Sequence, residues 1–114
     1  AVEEMAIIRP RYLDDNLIQV PSMALKHVRM ELGHMSELTE GMLARVRPVL
    51  ESRDLGELSQ QHDRIVVLRE ALLSYLQQVG RAELNDAEAD EHARLVAATG
   101  EIETMSTAIG RVLA

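Results

Sequence analysis

A ladder of apolar residues between Pro21 and Ser52 constrains this chain more than any other feature. Leu25, Val28, Leu32, Met35, Met42, Val46 and Val49 recur at alternating steps of three and four, and only Thr39 interrupts them. A period near 3.5 puts all of these side chains on one stripe of an α-helix, the stripe that meets partner helices. Pro21 suits the start of such a helix, because it has no N–H to leave unpaired and its φ is already near the helical value. Pro48 falls late in the same stretch. Since Val46 and Val49 stay in phase across it, a kink is expected there and not a stop.

Two further helices follow from the same reasoning. Leu58, Ile65, Leu68, Leu72, Tyr75 and Val79 predict a helix over about 55–79, with Leu73 and Leu76 thickening its seam. Asp54 and Glu57 have capping-box spacing at its start, and Gly80 stands where a left-handed residue would close it. Asn85 and Glu88 form a second capping pair, opening a helix from Asp86 to about Leu113. Its seam is Leu95, Ala98, Ile102, Met105, Ile109 and Val112. Two short connections between three long helices predict an all-α, antiparallel up-down-up three-helix bundle. Residues 1–20 read as a lead-in without a sustained period, and 21–114 as the helical domain.

Composition agrees. The chain has 114 residues, lacks Phe and Trp and has two Tyr, so the core must be aliphatic, as suits narrow helical seams. With 19 acidic and 12 basic residues its net charge of −7 opposes binding to nucleic acid or to anionic lipid headgroups. It has no cysteine, hence no disulfide or thiolate chemistry, which fits a reducing compartment. No apolar run approaches the roughly 18 residues of a membrane helix. A start at Ala1 is expected for an excised or processed piece, and equally for a chain whose initiator Met has been removed. The third helix segment, 81–114, carries seven acidic residues against three Arg, whereas 22–53 carries five basic against four acidic. These helices are expected to complement each other or to be solvated; an acidic docking surface is the alternative.

Three segments together resemble the PhoU-like domain found at the cytoplasmic end of bacterial sodium/phosphate cotransporters. They are YLDDNLIQVPSMALKHVRMELGHM (Tyr12–Met35), HDRIVVLREALLSYL (His62–Leu76) and GEIETMSTAIG (Gly100–Gly110). The resemblance implies a non-catalytic regulatory domain on the cytoplasmic side of the inner membrane, contacting the membrane-spanning part of the same transporter and tuning phosphate transport. In that family acidic pairs at i and i+4 on the second and third helices hold iron or zinc. Here the resemblance places Asp63 and Glu103 as metal ligands, but Val66 and Thr107 stand where their acidic partners would be. The expectation is therefore no cofactor, with a metal-binding regulator or a helical oligomerisation module as the alternatives.

The histidines offer little else. Glu31 and His34 at i, i+3 have the spacing of half a carboxylate–histidine site, without a second half. His27, beside Lys26, is a poor phosphotransfer histidine because Val28 adjoins it and a fourth helix is missing. All four histidines are expected at the surface or its boundary. Because complete regulators of the family resemble two such three-helix repeats, a lone repeat is expected to form a homodimer. Met30, Leu38, Leu43, Val66, Leu73 and Leu76 are the candidate contact residues, with Met23 also on an outer face.

Overall fold

A computed structural model describes residues 10–53 and 55–113, without the side chains of residues 110, 112 and 113. It contains three long helices, α1 (Pro21–Ser52), α2 (Gly56–Val79) and α3 (Asp86–Leu113), preceded by a short 3-10 turn at Asp15–Leu17. They form an antiparallel three-helix bundle, and there is no strand among the described residues. The 32 residues of α1 account for almost all of the 51 Å long axis, given a rise of about 1.5 Å per residue.

The first ladder is the spine of the core. Leu25, Val28, Leu32, Met35, Met42 and Val49 are buried in one cluster with Leu58, Ile65, Leu72 and Val79 of α2 and Leu95 of α3, and Leu68 of α2 is buried too. Thr39 is also buried, its hydroxyl donating to the Met35 carbonyl at 3.0 Å, so the break in the ladder costs no unpaired polar group. α1 runs unbroken through Pro48. It ends at Arg53, whose φ of 61° is left-handed and whose N–H donates to the Val49 carbonyl.

Several sequence expectations need correction. Gly80 ends α2 with φ −64°, so the left-handed residue of this bundle is Arg53 and not Gly80. Residue 80 is closely approached instead: a Cβ there would stand 3.0 Å from Nε2 of His92, which packs over the end of α2 and donates to the Leu76 carbonyl at 2.7 Å. Met105 is 48% exposed, because the α3 seam steps from Ile102 to Ser106. The small Ser106 and Thr99 take buried positions, Ser106 hydrogen-bonded with His62 and Thr99 with the Leu95 carbonyl. Leu73 is exposed while Leu76 is core, so Leu76 leaves the set of candidate dimer contacts. α2 begins one residue later than expected, and Asp54 lies outside the described residues. Glu57 instead receives a two-pronged contact from Arg45, at 2.9 and 3.2 Å, which ties the end of α1 to the start of α2.

The second capping box forms as its residues predict. The Glu88 N–H donates to Asn85 Oδ1 at 2.8 Å, and the Asn85 N–H donates to Glu88 Oε1 at 3.0 Å. The charge imbalance between helices also has a structural outcome, since Arg29 of α1 pairs with Glu91 of α3, and Arg69 of α2 with Glu103 of α3.

Candidate functional site

One cluster of polar contacts lies where the lead-in crosses the α1–α2 groove. Leu13, Leu17 and Ile18 pack against the core from outside the bundle. Beneath them Glu31 is fully buried. Its Oε1 accepts from the Tyr12 N–H at 2.7 Å, and its Oε2 accepts from His34 Nδ1 at 2.7 Å. One helical turn earlier on the same flank of α1, His27 Nδ1 donates to the Tyr12 carbonyl at 2.7 Å. The Tyr12 ring meets the His34 ring edge to face at 6.5 Å. From the α2 side the Tyr75 hydroxyl donates to the Asp14 carbonyl at 2.6 Å.

Burial holds the Tyr75 hydroxyl above the ordinary pKa of about 10, and the charges of Asp14 and Asp15 add to the rise. A cavity of about 450 Å³, lined by Arg11, Tyr12, Asp14 and His27 among others, flanks the crossing on the α1 side. A second of about 400 Å³, with Pro10, Ala71, Ser74, Tyr75 and Gln78 in its wall, flanks it on the α2 side.

This arrangement corrects the expectation for one histidine: His34 is buried, whereas His27, His62 and His92 are half-buried at the boundary, each with a specific partner. The Glu31–His34 spacing was legible, and the pair forms. Its role is to grip a backbone, and what the sequence did not show is the grip by Tyr12 and Tyr75. The run of apolar Leu13, Leu17 and Ile18 ahead of Pro21 is the signal that could have found it.

The residues assigned to metal by resemblance lie elsewhere. Asp63 is exposed on α2, and Glu103 on α3 is half-buried with its carboxylate held by the Arg69 guanidinium. Val66 and Thr107 are half-buried nearby in sequence. Among the described residues, no three His, Cys, Asp or Glu side chains are arranged to hold a metal ion. Nor is any helix among them long and apolar enough to cross a membrane.

Apolar side chains left in water form the remaining surface feature. Leu43 and Leu50 on α1 are 46% and 51% exposed, and Met23 and Met30 are exposed at the other end of the helix. On α3, Val96 and Met105 are exposed as well.

Comparison with known proteins places this bundle beside phosphate-transport proteins. The chain is 27% identical over 107 residues to the protein named "Putative inorganic phosphate export protein YjbB" in Escherichia coli (strain K12), and equally so to the protein of that name in Shigella flexneri. The match takes in 92% of this chain and 20% of each relative, so the chain spans about a fifth of the length of the curated relatives it matches. No family model matches the chain, and no solved structure matches it significantly. The chain is a three-helix domain weakly similar to part of a phosphate-transport protein.

Proposed function

We propose that this chain is the PhoU-like regulatory domain of a sodium/phosphate cotransporter-type membrane protein, lying on the cytoplasmic side of the inner membrane. It tunes phosphate transport through contacts between its helices and the membrane-spanning part, and carries out no chemistry of its own. The observation that carries this reading is the relationship of nearly the whole bundle to one fifth of a protein named for phosphate export. Two features of the bundle support it. Glu31, His27 and Tyr75 are engaged in holding the chain's own backbone, and its exposed side includes long apolar residues suited to helix contacts.

The test is phosphate flux. In cells whose full-length gene product lacks residues 21–114, radiolabelled phosphate should cross the membrane at a changed rate while the remaining protein is inserted at its normal level. An unchanged rate with normal insertion would overturn the regulatory role.

A further inference from the structure

The segment from residue 10 to residue 20 is attached in a manner unlike the three helices. Its regular structure is limited to one 3-10 turn, and no residue of that turn is buried. It is held by three hydrogen bonds in which a bundle side chain grips the segment's main chain: Glu31 at the Tyr12 N–H, His27 at the Tyr12 carbonyl and Tyr75 at the Asp14 carbonyl. Leu13, Leu17 and Ile18 add apolar contact with the core, but no residue from 10 to 20 is fully buried, and open surface hollows lie along either side of the segment. Segments without fully buried side chains open at lower free energy than the core they cover.

We infer that residues 10–18 are a releasable strap, latched across the α1–α2 groove by Glu31, His27 and Tyr75, which opens as a unit while the bundle stays folded. Closed, it seals Glu31 and His34 from water. Open, it exposes that carboxylate–imidazole pair together with Tyr75, and the nine freed residues reach up to roughly 30 Å. Release therefore changes the spacing between the bundle and the chain ahead of the strap. The three latch bonds are made to the strap's main chain, and the Tyr12 ring on His34 with Leu13, Leu17 and Ile18 on the core add its side-chain contacts. This inference stands on the contacts alone and does not require the phosphate reading.

Amide hydrogen exchange on the 114-residue chain, read residue by residue by NMR, tests it. In the unmodified protein the Tyr12 amide should be protected, yet exchange at least tenfold faster than amides of Leu68 and Leu72. Its rate should be insensitive to low urea, the mark of a local opening. In Tyr75→Phe, which keeps the ring and removes the latch hydroxyl, the Tyr12 amide should exchange about fivefold faster, the worth of one ordinary hydrogen bond. The Leu68 and Leu72 amides, which exchange through global unfolding, should speed up by no more than the same factor, so that the Tyr12 amide stays at least tenfold faster and insensitive to low urea. A Tyr12 rate in the variant that matches those of Leu68 and Leu72 and rises with urea as they do would overturn the inference, because the strap would then be opening only with the whole fold. No acceleration anywhere would overturn it too, by removing Tyr75 from the latch. Should the variant fail to fold, the urea dependence in the unmodified protein decides alone: a Tyr12 rate rising as steeply as those of Leu68 and Leu72 rejects the strap.

Discussion

The two ends of this bundle solve the same problem with different success. At the end where α1 begins, the strap lies over the α1–α2 groove, and Ala24, Leu25, Val28, Glu31 and Leu32 are all buried. At the other end Met42 and Val49 of the same helix are buried without such a cover, while Leu43 and Leu50 stand half in water and Met105 of α3 is exposed. Met23 and Met30 are about as exposed at the first end, so the strap covers only one flank there. Three helices present more apolar surface than three narrow seams can cover. A fourth layer is therefore needed, and the chain supplies one at the first end only. There it accepts a fully buried carboxylate, which is tolerable because Glu31 has both the Tyr12 N–H and His34 as donors.

The largest predicted contrast compares leucines on one helix. Leu25→Ala removes a fully buried side chain and should cost about 3 kcal/mol. Leu43→Ala, at a half-exposed position, should cost less than about 0.5 kcal/mol. Urea unfolding of both variants checks this, and similar losses would erase the difference between the ends. Carboxylates sharpen it next. Glu31→Ala leaves the Tyr12 N–H and His34 without their acceptor and should cost about 2–3 kcal/mol. Glu103→Ala breaks a partly exposed ion pair with Arg69 and should cost under about 1 kcal/mol.

The exposed end also bears on the homodimer expected from sequence. If a second copy covers Leu43 and Leu50, light scattering at tens of micromolar will give about twice the 12.7 kDa chain mass. Leu43→Ser with Leu50→Ser will then return it to one chain without lowering helix content. A mass of one chain in the unmodified protein would reject the dimer.

The smallest effect belongs to alkaline pH. With the Tyr75 pKa raised in the folded state, its stabilising share is fully present below the ordinary tyrosine pKa of about 10 and is lost as pH climbs through the raised value. Phenolate absorbance should therefore show a later-titrating tyrosine that disappears in Tyr75→Phe. If Tyr75→Phe instead removes the earlier-titrating component, the assignment fails.

What was legible in the sequence is what is local. The start of α1 at Pro21, the box at Asn85 and Glu88, and the buried ladder of Leu25, Val28, Leu32 and Met35 all depend on spacing within one turn or two. Gly80 was placed correctly as an ending but for the wrong cause, since its φ is right-handed and the close neighbour of its Cα is His92, twelve residues away. Met105 was misplaced because steps of three and four from Ile102 are equally good until a partner helix chooses between Met105 and Ser106. The cluster around Glu31 was legible only in its i, i+3 pair. Its other partners are main-chain groups of Tyr12 and Asp14, and a backbone N–H or carbonyl looks the same at every position.

The claim that the strap is a structural layer of the first end is tested most directly by removing it. Residues 21–114 alone should keep their helical circular dichroism but unfold at a urea midpoint lower by about 1–2 M than the whole chain, as the loss of three hydrogen bonds and their packing implies. An unchanged midpoint would mean that the bundle is complete without the strap, and would contradict the account.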